Sequence, residues 1–250
     1  SQYVKDSLRL SKTSHMGTLD PQVSGVLPIT LGRACKLSNC FMNKNKEYVG
    51  VMHLHENISK ERLEKTVKDF IGKITQTPPV RSSVKRAPRE REIISFQILE
   101  VEGKEVLFRT EVQAGTYIRK LCDDIGKEIG GAHMLELRRT KAGIFTEDNY
   151  SFVNLYDFEK AVNAYKEGNP EALKKLLLPT EQAIKKVLPI IQVKEKNLKQ
   201  ILTGKPLTKQ DLQKIPKEEK FAAFLKEKLV GVYHSVKEED IIARAEFVYN

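Results

Sequence analysis

Between residues 93 and 131 the hydrophobic period of this chain changes from two to about 3.6, and that change limits what it can fold into. Ile94, Phe96 and Ile98 alternate with polar neighbours, then Val106, Phe108, Thr110 and Val112 do the same, with Glu102-Gly103-Lys104 between the two runs. Two alternating runs joined by a short Gly-containing link predict a β-hairpin over 93–113 with one face buried. Gly115 breaks the alternation. From Ile118 the spacing becomes helical through Leu121, Cys122 and Ile125, until Gly130-Gly131 stops it. A half-buried hairpin followed at once by an amphipathic helix requires a sheet with helices laid on it. Neighbouring segments extend the pattern. EYVGVMHLH (47–55) suits a strand. A helix is predicted over 59–71, with Ser59 as N-cap, Leu63, Val67, Phe70 and Ile71 on one face, and Gly72 ending it. Helical patterns recur at 155–166 and 169–178. The fold class is α+β, with a mixed or antiparallel sheet flanked by helices.

Pro179 and Pro189 bracket a change of composition. Beyond them come a short strand (Ile190–Val193), a helix ending at Gly204, and strands at Phe221–Leu225, Leu229–His234 and Ile241–Tyr249. The chain is therefore divided into a main domain, 1–185, and a small β-rich domain, 186–250. The opening SQYVKDSLRLSK reads as the remainder of an amphipathic helix, with Val4, Leu8 and Tyr3 on one side. It lacks the apolar stretch of a signal peptide, so the chain is expected to begin inside a domain. No run approaches the ~18 apolar residues of a membrane span. Cys35, Cys40 and Cys122 match no metal spacing, and their odd number fits a reducing compartment.

Charge narrows the partners. Hydrophobic residues make up 40% of the chain, enough for a packed core, while charged residues reach 30% and the net charge is +10. Such an excess suits a polyanion, because each Lys or Arg near a phosphate releases condensed counterions. A Lys-rich solvated surface gives the same count.

Several segments carry residues suited to chemistry. In Gly17-Thr18-Leu19-Asp20-Pro21 the proline ring holds Asp20 extended and presents its carboxylate from a stiff loop. Asp-Pro is also an ordinary turn pair. Gly115-Thr116-Tyr117-Ile118-Arg119 lies where strand period gives way to helix period. If this stretch is still extended, Tyr117 and Arg119 leave from one face; otherwise Arg119 caps a surface and Tyr117 is partly buried. Tyr48, in Lys46-Glu47-Tyr48, sits beside basic residues and suits stacking on a base, as well as it suits a core. Leu137 offers apolar surface next to Arg138 and Arg139, or the segment is a helix end with both arginines in solvent. Lys85, Arg86, Arg89 and Arg91 put four cations on a Pro-containing loop, a pattern fit for phosphate contacts or for a solvated charge run. His15 precedes the Asp20 loop and is placed to stack on or wedge beside a nucleotide. His53 and His55 share a strand face with no further Cys or His accompanying them, so they are read as structural and no metal is expected. There is no phosphate loop, dinucleotide fingerprint or Ser-His-Asp elbow.

Four of these segments, in this order, resemble the TruB/dyskerin family of pseudouridine synthases. HMGTLDPQVSGVLPITLGRACK resembles the family's catalytic-aspartate motif, KEYVG its tyrosine motif, GTYIRKLCDDIG its arginine motif and HMLELRRT its leucine-containing motif. The resemblance covers about residues 4–150. TPPVRSSVKRAPRERE is most similar to the archaeal and eukaryotic dyskerin branch.

The resemblance implies a pseudouridine-synthase fold followed by a PUA-like RNA-binding domain over 186–250. There LTKQDLQKIPKEEK replaces the glycine-rich stretches of the family. The family's opening strand and Lys-Pro-Gly turn do not appear before the first helix. The activity implied is isomerisation of uridine to pseudouridine in rRNA or tRNA without a cofactor, since nothing is oxidised and no group is carried. Asp20 is implied as the catalytic carboxylate, paired with Arg119 in a dry pocket. Tyr48 is implied as the residue that stacks on the base and handles the proton at C5. Tyr117 and Leu137 are implied to form the pocket wall, and His15 to support the flipped strand. The dyskerin branch implies an H/ACA guide RNA and three subunits: a small zinc-ribbon-type protein, a glycine-arginine-rich-type protein and a kink-turn-binding ribosomal-type protein. It also implies the cytoplasm of an archaeon or the nucleolus of a eukaryote. A stand-alone tRNA T-loop enzyme and a non-catalytic RNA-binding scaffold are the competing readings.

Overall fold

The computed structural model describes residues 1–78, 86–149 and 151–249. It falls into two compact units. One comprises Met16–Pro28 and Met42–Phe152; the other comprises Ser1–His15, Ile29–Phe41 and Val153–Asn250.

The first of these is built on a seven-stranded mixed sheet. Its order is Val23–Gly25, Ala132–Ala142, Lys46–Leu54, Glu105–Val112, Arg89–Glu102, Gly72–Gln76, with Phe145–Thr146 paired onto Ala132–Ala142. Val23–Gly25 runs parallel to its neighbour and the other pairs are antiparallel. The helices Lys60–Asp69 and Ile118–Glu128 supply Leu63, Val67, Ile118, Leu121, Cys122 and Ile125 to a core shared with Met52, Leu54, Val106 and Phe108 from the sheet. The Ser59 hydroxyl accepts from the Arg62 N–H, so the predicted cap is present. Ile71, expected on the buried face, is exposed, because the helix ends at Asp69 and Gly72 opens an unforeseen strand.

The predicted hairpin is present, and its second arm buries Val106, Phe108, Thr110 and Val112 as the alternation requires. The first arm differs. Ile93 pairs with Val112 and Ser95 with Glu111, which leaves Ile94 as the extra residue of a β-bulge. The inward residue is therefore Ile93, while Ile94 is 39% exposed.

In the second unit the helices Gln2–Ser7, Leu155–Lys166 and Glu171–Leu176 bury Val4, Phe158, Ala161, Val162 and Leu173 together. His15 closes the short strand Thr13–His15, which pairs with Ile29–Leu31. The C-terminal segment forms a five-stranded sheet in the order Ile190–Gln192, Lys220–Leu225, Lys228–Ser235, Ile241–Val248, Leu207–Thr208. Phe221, Val230, Tyr233 and Ala243 form its core. Thr208 and Asp211 cap each other reciprocally in the turn before it.

Candidate active site

Along the inner face of the seven-stranded sheet the residues form cross-strand rows, and their chemistry changes from row to row. Met52 faces Val106 and Met134; Gly50 faces Phe108 and Leu137; Tyr48 faces Thr110 and Arg139. The first two rows are apolar. The third carries a phenol, a hydroxyl and a guanidinium, and next along the face comes Lys46 between Val112 and Ala142. The polar rows are where the loop bearing Asp20 meets the sheet.

The Asp20 loop is held at both ends. The Met16 N–H donates to Pro28 O, Val23 N–H to Asp20 O and Val26 N–H to Arg139 O. Gly25, at φ +102°, lies so close to the neighbouring strand that a Cβ would stand 2.2 Å from Arg139 O. Only glycine permits this parallel pairing. Asp20 is thereby fixed just before the tight turn into Val23–Gly25.

Arg119 stands in the first turn of the helix Ile118–Glu128, and its Nη2 lies 3.5 Å from Asp20 Oδ2. The two residues singled out from separated segments, 99 positions apart by the difference 119 − 20, do meet. Their surroundings differ from the dry pocket expected: the side chains are 50% and 60% exposed. The extended conformation considered for Tyr117–Arg119 is not adopted either. Tyr117 is the N-cap residue and Arg119 is already helical. The turn before them is anchored from outside. Gln76 Nε2 donates to Tyr117 O, the Tyr117 N–H donates to Gln76 Oε1, and Arg91 Nε donates to Gly115 O.

Tyr48 is mostly buried. Burial pushes its phenol above the usual range, Arg139 pulls it partly back by charge and hydrogen bond, and the charge of Asp20 adds to the rise. Tyr48 is therefore a neutral phenol at neutral pH. Leu137 is 8% exposed and belongs to the core beneath Tyr48. Buried Lys46 donates to the carbonyls of Met42 and Lys44. Burial, with the Arg139 charge beside it, brings its ammonium down to about 8.

Arg139 is the main residue that sequence reasoning missed. Its segment reads from sequence as apolar surface at Leu137 next to two cations, or as a helix end with both arginines in solvent. It is in fact the strand Ala132–Ala142. Arg138 pairs with Glu147, whereas Arg139 is 2% exposed. Its Nε donates to Val26 O at 2.8 Å, Nη2 to Gly17 O at 3.0 Å and Nη1 to Thr18 O at 3.4 Å.

The other candidates disperse. His15 belongs to the second unit and pairs in strand with Ile29. Lys85 lies outside the described residues. Arg86 is exposed just before the strand that Arg89 opens, and Arg91 is engaged with the turn before Tyr117. His53 and His55 do have a histidine companion: His133, register partner of His53, brings its Nδ1 within 2.9 Å of His55 Nε2. Among the described residues, no group of three or more His, Cys, Asp or Glu is arranged to hold a metal ion.

Comparison with known proteins identifies the family. The family model for the N-terminal domain of TruB family pseudouridylate synthase matches residues 5–61 and 55–118, and the model for the tRNA pseudouridylate synthase B C-terminal domain matches 119–185. A probable tRNA pseudouridine synthase B of Methanopyrus kandleri is 45% identical over 217 residues, covering 86% of this chain and 63% of that protein. The one from Nanoarchaeum equitans is 48% identical, over 70% of this chain and 50% of its own length. This chain thus spans between half and two thirds of those relatives. The Archaeoglobus fulgidus protein of the same name is 40% identical, over 97% of this chain and 76% of its own. A chain in the crystal structure of a Cbf5-Nop10-Gar1 complex superposes with a TM-score of 0.88 at 36% identity, covering 99% of this chain and 79% of that one. A chain in the structure of an H/ACA RNP bound to a substrate RNA containing 2′-deoxyuridine gives 0.86 at 34%, covering 100% and 80%. Ordered motifs, sheet topology, an aspartate–arginine pair at their meeting point and identity of this extent have one common explanation: the chain belongs to the TruB family of pseudouridine synthases.

Proposed function

We propose that this protein isomerises uridine in RNA to pseudouridine, with Asp20 as the acting carboxylate. The observation that carries this reading is the approach of Arg119 Nη2 to within 3.5 Å of Asp20 Oδ2 at the end of a sheet face bearing Tyr48 and Leu137. The reaction breaks the C1′–N1 bond, turns the base and joins C5 to C1′; the proton leaves C5 and N1 gains one. Atoms and electrons balance within the substrate, so no cofactor is required. A uridine extruded from its stack costs a few kcal/mol to present, and the half-exposed Asp20 is reachable by such a base. Arg119 aims the carboxylate, whether it attacks the nucleoside or takes a ribose proton. Tyr48, a neutral phenol, serves as a stacking surface and proton relay at C5 rather than as a free-standing base. Tyr117 and Leu137 bound the base.

We assign the protein to the RNA-guided mode, as the catalytic subunit of an H/ACA particle acting on rRNA. The likeness over nearly the whole chain to proteins solved with Nop10, Gar1 and a bound substrate RNA supports this. In this reading the 186–250 domain binds RNA. An open cleft of about 690 Å³ borders that domain: Gly204, Glu246 and Phe247 line it together with Arg33, Lys36 and Asn39 from outside 186–250, with Lys36 Nζ 5.1 Å from the Phe247 ring centroid. The names of the curated relatives favour a second reading, a guide-free enzyme acting on tRNA. RNA carrying tritium at uridine C5 separates the two. Tritium release from a guide-matched RNA only when guide and partner subunits are present supports the guided mode. Release from naked tRNA by the chain alone supports the second. No release in either arrangement contradicts the isomerase reading.

A further inference from the structure

We propose that Arg139 is a positioning residue for the reaction: its buried guanidinium staples the two arms of the Asp20 loop to the sheet and so sets where the carboxylate stands. The proposal rests on the isomerase reading above.

Three donors of one planar group reach three main-chain carbonyls. Gly17 O and Thr18 O lie on the arm entering the loop, and Val26 O lies on the arm leaving it. Asp20 is the residue between them. The same arginine's backbone carbonyl accepts from the Val26 N–H, so side chain and main chain grip the outgoing arm together. Of the two flanking glycines, Gly25 gives way to this residue, while Gly17 lies in ordinary contact with it. A Cβ on Gly17, at φ +111°, would meet Arg139 Nη1 at 3.6 Å, and a Cβ on Gly25 would meet the Arg139 backbone. Nowhere among the described residues does a carboxylate come within ion-pair distance of Arg139. Carbonyl dipoles therefore offset a fully buried charge. Such an expensive group is retained where its geometry is needed, and only the fixed fork of arginine spans both arms. Arg139 is also the cross-strand register partner of Tyr48, so one residue lies next to both the carboxylate's loop and the phenol.

The test is Arg139→Lys in the full chain, assembled as the active form requires. An ammonium can reach one arm of the loop and not both. Single-turnover isomerisation, corrected for the folded fraction by urea titration, is expected to fall roughly 10²-fold, the effect of about 1 Å of misplacement. RNA affinity should stay within about threefold, because the guanidinium is out of reach of the substrate. Free methylguanidinium should restore part of the rate to Arg139→Ala and none to Asp20→Asn. A folded Arg139→Lys protein with a rate within threefold of the parent overturns the proposal, as does a loss confined to RNA affinity. If both variants fail to fold, hydrogen exchange of the unaltered protein decides. The Val23 and Val26 amides are expected to be as protected as those of Ala132–Ala142, and free exchange there refutes the staple. An unaltered protein without isomerase activity under any condition would instead count against the reading on which the proposal rests.

Discussion

Replacing Arg119 by lysine separates what the Asp20–Arg119 pair does for stability from what it does for chemistry. Both side chains are half exposed and their closest atoms stand 3.5 Å apart. An ion pair in that setting contributes about 0–1 kcal/mol to folding. Lysine is also a good helix former and keeps the charge in the first turn of Ile118–Glu128. The thermal midpoint should therefore move by less than about 3 °C, the shift that 1 kcal/mol produces in a chain of this size. The chemistry is far more demanding. A lysine side chain is shorter than arginine and ends in a freely rotating point charge, so the carboxylate is no longer aimed by a planar fork. A misplacement of about 1 Å costs roughly 10²-fold in rate, equivalent to about 2.7 kcal/mol in the barrier. The assay is tritium release from C5-labelled uridine RNA under single turnover, with melting of the same samples. A rate within threefold of the parent at unchanged stability would refute direct aiming of Asp20 by Arg119.

Four other outcomes follow from the same geometry. Asp20→Asn should abolish isomerisation while gel-shift affinity for the RNA persists; substantial residual turnover would remove Asp20 from its role. Gly25→Ala should destabilise the sheet-bearing unit by about 3 kcal/mol, combining the positive-φ penalty with loss of the Val26–Arg139 hydrogen bond, read as a lower urea midpoint; an unchanged midpoint contradicts the close approach. Because the Tyr48 phenol is raised, the rate profile should show no alkaline limb from it below about pH 9, and Tyr48→Phe should leave the profile's shape unaltered. The folded Lys46 ammonium sits at about 8, below the ordinary 10.5 of a lysine. The unfolded chain therefore binds more protons in that window, and stability should rise with pH from about 8 to 10.5 relative to Lys46→Met. Parallel urea curves at pH 7.5 and 9.5 that show no such difference between the two proteins would overturn the lowering of the Lys46 ammonium by burial.

Much of the fold was legible because its elements obey one period at a time. Val106, Phe108, Thr110 and Val112 alternate without interruption and are all buried. Leu63 and Val67, or Leu121, Cys122 and Ile125, keep helical spacing and are all in the core. Asp20 and Arg119 were legible through motif resemblance alone, since spacing could not distinguish a site from a turn. The engagement of Arg91 was hidden for a reason of another kind. A cation in a basic run looks available to phosphate until the strand it belongs to turns it onto Gly115.

The strand Ala132–Ala142 shows why the remainder stayed hidden. Strict alternation from Ala132 would send Glu136 and Arg138 inward and leave Leu137 and Arg139 in solvent. Two register slips alter this. Met134 pairs with Met52 and Glu136 with Val51, so Leu135 is extra; Arg139 pairs with Tyr48 and Lys141 with Glu47, so Thr140 is extra. A one-residue slip transfers every following side chain to the other face. The first slip is what brings Leu137 beneath Tyr48's row and places Arg139 under the Asp20 loop, and the second returns Ala142 to the inside. The bulges are thus part of the site's construction. They leave no mark on composition, and they erase the alternation by which a strand is recognised. Removing Leu135 deletes only the extra residue and should restore strict pairing with Glu136, Leu137 and Arg139 still opposite Val51, Gly50 and Tyr48, so Arg139 stays inward. The consequence would be a folded sheet that keeps its hold on the Asp20 loop, with the Val23 and Val26 amides as protected as those of Lys46–Leu54; loss of their protection would show that the bulge itself, and not the register beyond it, places Arg139.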